Sequence, residues 1–91
     1  MIVRILSEGQ FQLNDAKIDE LDRYDASLEA AFQADDAAAY ASALEIIEAW
    51  VRANSTVVDP STIVPSDVVL PAPDSDLGEA RALFASEDEG I

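Results

Sequence analysis

No cysteine and no histidine occur anywhere in the 91 residues. Their absence removes disulfides, thiolate nucleophiles, imidazole bases and the softer metal ligands together. Glycine is scarce, and its copies at Gly9, Gly78 and Gly90 are too scattered for a phosphate-cradling loop. The single lysine, Lys17, has no serine three residues before it, so no Ser-x-x-Lys arrangement exists. Base is scarce as a class: five Lys and Arg stand against 19 Asp and Glu, for a net charge of −14. Such a chain repels nucleic acid and anionic lipid as direct ligands. A basic protein surface is the partner this charge permits, and the same excess also serves plain solubility in a crowded or salty cell. No apolar run nears the roughly 20 residues of a membrane span. The opening MIVRILSEGQ lacks the charged-then-apolar order of a signal peptide. The expected location is therefore cytoplasmic, without direct membrane insertion.

What is present is apolar and patterned. Hydrophobic residues make up 49% of the chain, enough to fold one domain of this length. Ile2–Leu6 reads as a buried strand and Gln10–Leu13 alternates, with Gly9 between them for a tight turn. Together they predict a β-hairpin, which is marginal in water until a third strand or a helix covers it. A first helix starts at Asn14 or Asp15, with Ile18, Leu21, Leu28 and Phe32 on one face. Asp25 falls near that stripe, as an acid at its edge reaching solvent or as a polar contact to a partner. After the break QADDAAAY, capped by Asp35 or Asp36, a second helix runs from Ala37 to about Ala53. It carries two apolar stripes, one through Tyr40, Ala43, Leu44, Ile47 and Val51, the other through Ala39, Ala43, Ile46 and Trp50. A helix with two apolar stripes packs on two sides. One side suits the first helix, in an αα-hairpin. A short third helix is predicted over SDLGEARALF, capped by Asp76 with Glu79 three residues on, and with Leu77, Ala80, Leu83 and Phe84 as its apolar face.

Between the second and third helices lies PSTIVPSDVVLPAP, which holds all four prolines. A structureless loop of that length is uncommon in a compact domain. Proline is tolerated only at strand ends and edges, and its fixed φ lowers the entropy cost of ordering. The segment is expected to be an ordered strap. Val68–Leu70 would give the hairpin a third strand, the turns at Pro60 and Pro65 would carry the chain across the helices, and Ile63 and Val64 would cover the second helix.

The expected fold is α+β: an N-terminal β-hairpin, completed to a small three-stranded antiparallel sheet by residues 68–70, packed on an αα-hairpin, with a short C-terminal helix. Residues 1–85 form the domain and 86–91 a frayed acidic tail. Catalysis finds no usual base or nucleophile, so no catalytic, cofactor-binding or metal residue is assigned. The acids Asp74 and Asp76 with Glu79 are explained as a helix cap and lack the calcium-loop pattern. What remains is surface. The apolar second helix, a sheet edge and an acidic field describe an interaction module, with Trp50, Ile46, Tyr40 and Phe32 as candidate interface residues. Trp50 reads either as an interface anchor or as a core residue under the proline segment.

The opening hairpin with its EGQF turn, the alanine-rich acidic helical hairpin, and VPSDVVLP followed by LGEARALF resemble the PspA-associated protein family over about residues 1–85. Gly78 stands where that family tends to have a second Glu. The resemblance implies a non-enzymatic partner of phage-shock protein A, a long helical-hairpin, ESCRT-III-like membrane-remodelling protein. It also implies an accessory or regulatory role in the envelope-stress response, peripheral to the membrane only through that partner. No site motif is carried over. A self-associating, homodimeric structural module without that partner is the alternative.

Overall fold

Val3 and Ile5 alternate with Ile2 and Arg4, and Phe11 and Leu13 alternate with Gln10 and Gln12, so each strand offers one apolar face. The computed structural model, which describes residues 1–62 and 64–82, pairs them as an antiparallel hairpin of β1 (Ile2–Ile5) and β2 (Gly9–Leu13). The register sets Val3 opposite Phe11 and Ile5 opposite Gly9. The turn between them needs left-handed backbone, at φ 72° for Ser7 and φ 118° for Gly9. Gly9 meets that need without Cβ strain.

Asn14 accepts from the Ala16 amide and starts a single 3-10 turn, after which α1 runs Ile18–Gln33. Asp35, at φ 56°, takes the left-handed position that ends α1, a conformation Asp tolerates better than most residues. Asp36 then caps α2 (Ala37–Asn54) by accepting from the Ala39 amide at 3.1 Å. The two stripes of α2 divide as their spacing requires. Tyr40, Leu44, Ile47 and Val51 are buried in the core with Leu21, Leu28 and Ala31 of α1 and with Val3, Ile5, Phe11 and Leu13 of the sheet. Truncating a leucine there to alanine removes about 2–5 kcal/mol, a large part of the 5–15 kcal/mol that holds a typical domain together.

The sheet departs from the three antiparallel strands expected. It has four, in the order β3-β2-β1-β4, and is mixed. β4 (Val68–Leu70) does join the hairpin, but it lies parallel to β1. The strand that extends the sheet antiparallel is β3 (Ser55–Val57), which follows α2 without a loop and pairs with β2. Asn54 and Ser55, just past the helix end expected at about Ala53, turn the chain straight into this strand. Asn54 donates to the Trp50 carbonyl, and the Ser55 hydroxyl donates to the Val51 carbonyl.

That topology dictates the path of the proline segment. β3 and β4 sit at opposite edges, so the chain between them must cross the sheet. It does so over the face turned away from the helices, which corrects the expected path across the helices. Gln10 and Arg4, register partners on that outer face, both reach it. Gln10 donates to the Val64 carbonyl (2.9 Å) and the Ser66 hydroxyl (2.8 Å), and Arg4 donates to the same hydroxyl (3.2 Å). The Ile2 amide donates to Asp67 at 2.7 Å, and the Asp67 amide returns a bond to the Ile2 carbonyl at 2.8 Å. Val64 is therefore tied to β2 rather than laid on α2, and Ile63 lies outside the described residues. Beyond β4, Asp76 caps α3, described over 77–82, by accepting from the Glu79 amide at 2.8 Å. Leu77 and Ala80 of α3 join the core. Leu83, Phe84 and the acidic tail lie outside the described residues. No described helix is long and apolar enough to cross a membrane.

Candidate protein-interaction site

The four candidate interface residues fall into two pairs, on opposite sides of α1. Ile46 and Trp50 belong to the outer seam between α1 and α2, on the side away from the sheet. Tyr40 and Phe32 border a cleft on the other side of α1.

The seam follows from small residues. Ser27, Ala30, Ala31 and Ala34 of α1 face Ala39, Ser42 and Ala43 of α2 across a groove of about 660 Å³, with Tyr24 and Ile46 at one end and Asp36 at the other. Ile46 is 53% exposed, one of the two large apolar side chains so placed among the described residues. Trp50 is half-buried here, not under the proline segment. Its ring lies 5.4 Å from that of Tyr24, and its indole N–H donates to Glu20 at 3.2 Å. The charge pattern is uneven. Of the 18 residues of α2, only Glu45, Glu48 and Arg52 are charged. Glu48 is buried, and Arg52 is held by two hydrogen bonds to Glu8, at 2.8 and 2.5 Å. Glu45 is thus left as the one charge of α2 exposed to solvent without an ion-pair partner among the described residues, in a chain of net −14.

The cleft, of about 310 Å³, has apolar walls of Leu28, Phe32, Tyr40 and Pro71. Asp25, Glu29 and Gln33, one helical turn apart in succession, form its lip. Tyr40 is only 1% exposed. Its hydroxyl faces Ser75, but the Ser75 proton goes to the Ala72 carbonyl (2.6 Å), and the phenol makes no hydrogen bond of normal geometry among the described residues. Phe32 is fixed from the far side by α3. The Arg81 guanidinium lies 4.5 Å from its ring centre and donates to the Phe32 carbonyl and to Asp35. Asp25 is the edge acid expected from the sequence. Partial burial, and then the charges of Glu29 and Asp22, raise its pKa. No described Lys or Arg forms an ion pair with Asp25 or Glu29.

Sequence reasoning overlooked Glu48, which is 1% exposed and whose Oε2 has no hydrogen-bond partner among the described residues. Burial pushes its pKa up to about 7, against the pull of Arg52, and Glu8 pushes the same way. Its spacing of four from Leu44, inside the core-facing stripe, is the signal that would have found it. Asp25 at the cleft lip and Glu48 have the raised pKa that acid–base chemistry uses. Asp25 and Glu29 stand at the lip of the cleft, and Glu48 lines neither the cleft nor the seam groove. Among the described residues, no group of three or more acids is placed to hold a metal ion.

Compared with known proteins, the chain matches the family model described as PspA-Associated protein, PspAA, over residues 1–91. No curated protein and no solved structure matches it.

Proposed function

The chain belongs to the PspA-associated protein family, and on that premise we propose that it is a non-enzymatic adaptor that docks a PspA-like helical protein on the outer seam of its αα-hairpin. The observation that carries this reading is the near-uncharged outer face of α2, with Ile46 exposed upon it, in a chain of net −14. Charge is distributed over the rest of the surface and withheld here. An apolar stripe of a partner helix packs against small residues at short interaxial distance, and an acidic surround steers a partner with basic segments toward it. Accessory or regulatory action in an envelope-stress, membrane-maintenance system follows from that partner, and membrane contact would then be the partner's. The second reading, a self-associating module, draws on the same open face, but two copies of −14 repel each other.

Co-purification of the tagged chain with its PspA-like partner from the native host tests the proposal. The parent chain is expected to retain the partner, and Ile46→Glu to lose about tenfold in affinity while keeping its melting temperature, because the new charge stands in solvent unless a partner covers it. No association at low salt sinks the reading. Light scattering that reports a dimer, lost in Ile46→Glu, moves it to self-association.

A further inference from the structure

The cleft on the other side of α1 is not used by the docking seam, and its walls and lip call for different chemistry. Leu28, Phe32, Tyr40 and Pro71 make a short apolar passage, closed at its inner end by the buried Tyr40. Its mouth carries Asp25 and Glu29 on successive turns of α1, with Asp22 behind them. These acids are held close without a basic partner among the described residues, although Arg81 reaches α1 nearby. Arg81 is occupied elsewhere, on Phe32 and Asp35. Asp25 stands against the charges of Glu29 and Asp22, and a cation at the mouth would offset them.

We propose that this cleft is a socket for a basic side chain, lysine or arginine, of a partner polypeptide. The occupant is chosen by the two halves of the site. A long aliphatic stem matches the Leu28, Phe32 and Pro71 walls, and a terminal positive charge matches the Asp25–Glu29 lip, the usual division of labour in a basic side chain that buries its stem and keeps its head in polar surroundings. An apolar side chain would fill the passage and leave the lip uncompensated. A second copy of this chain brings its own −14 and only five bases. The socket needs no particular identity for the partner, so it stands or falls separately from the docking seam.

The test uses the full chain, labelled with nitrogen-15, at low ionic strength. The probes are two blocked pentapeptides, one with a central arginine flanked by leucine and alanine, the other with neutral citrulline in its place. The arginine peptide is expected to shift the amides of Asp25, Leu28, Glu29, Phe32 and Tyr40. The citrulline peptide is expected to bind at least about tenfold more weakly, because it lacks the charge the lip selects. The double variant Asp25→Asn, Glu29→Gln should lose the arginine peptide by a similar factor. Its melting temperature should equal or exceed the parent's, since like charges have been removed, and this separates lost binding from lost fold. Equal binding of the two peptides overturns the proposal, as does a shift pattern spread over all the acids and unchanged in the double variant. Concentration-dependent shifts at the cleft residues of the free chain would assign the site to a second copy and overturn it too.

Discussion

Glu48 stands four residues after Leu44 and four before Arg52, on the face of α2 that meets the core. Arg52 is the cation within its reach, but that guanidinium donates two hydrogen bonds to Glu8 in the β1–β2 turn. Glu48 therefore pays the cost of burial with partial compensation, and its pKa rises from 4.5 to about 7. A carboxyl whose folded pKa is raised favours folding while protonated. Its contribution is complete below pH 4.5 and is lost as pH climbs through 7. The full loss is on the order of 3 kcal/mol. Glu8 has the opposite sign, because Arg52 lowers its pKa, so its contribution is present above the ordinary carboxyl range and is lost in acid. Between them the two groups place the expected stability maximum near pH 4.5, with a decline from there to about pH 7, as measured by thermal melts across the pH range. Glu48→Gln should remove the alkaline decline and melt several degrees higher than the parent at pH 8. An undiminished alkaline slope in that variant would mean that Glu48 is not its source. An acid in the core stripe was visible at this spacing, but whether it paired with Arg52 depended on where the β1–β2 turn placed Glu8.

The proline segment shows what holds at the scale of elements. Its order was foreseeable from apolar residues set among prolines, and Val68–Leu70 was foreseeable as a strand. Its direction and route were not. A parallel partner for β1 requires the chain to return to the same end of the sheet, and β3 at the far edge forces that return across the outer face. Ser66 is the knot of the crossing, since its hydroxyl accepts from both Arg4 and Gln10. Ser66→Ala is expected to cost about 1–2 kcal/mol, a hydroxyl's share of two exchanged hydrogen bonds. Hydrogen exchange should quicken at the Asp67 and Val58 amides, which bond Ile2 and Gln10, and stay slow in α1 and α2. Equal quickening in the helices would show the strap to be part of one cooperative unit with them. The caps behave more simply. Asp36→Ala should lower stability by about 1 kcal/mol, because it frees the Ala39 amide at the start of α2. A chemical-denaturation midpoint would show that change without a change in slope.

At the scale of the whole molecule the net charge of −14 is distributed, while bases are few and mostly committed. Arg52 holds Glu8, Arg81 holds Asp35, and Arg4 reaches the strap. Self-repulsion then works against the compact state, and salt screens it, with a Debye length that falls from about 30 Å at 0.01 M to about 3 Å at 1 M. The melting temperature is expected to rise as sodium chloride is added over that range. A falling melting temperature would mean that the ion pairs of Arg52 with Glu8 and Arg81 with Asp35 outweigh the repulsion among the acids. The same screening should weaken capture of a basic partner, so stability and binding are expected to respond to salt in opposite senses.

The sequence by itself determined what short-range patterning controls: the hairpin, the two helices and their caps, the two stripes of α2, the family, and the lack of thiol and imidazole. Those features depend on spacing of two or 3.6 residues and on neighbours a few positions away. Tertiary structure decided the rest. It made the sheet mixed and four-stranded, sent the strap over its outer face, and closed Tyr40 into the core. It also separated Ile46 and Trp50 from Phe32 and Tyr40 on either side of α1. Each of these depends on which surfaces meet after the chain returns from far along its length, a relation that no local period encodes.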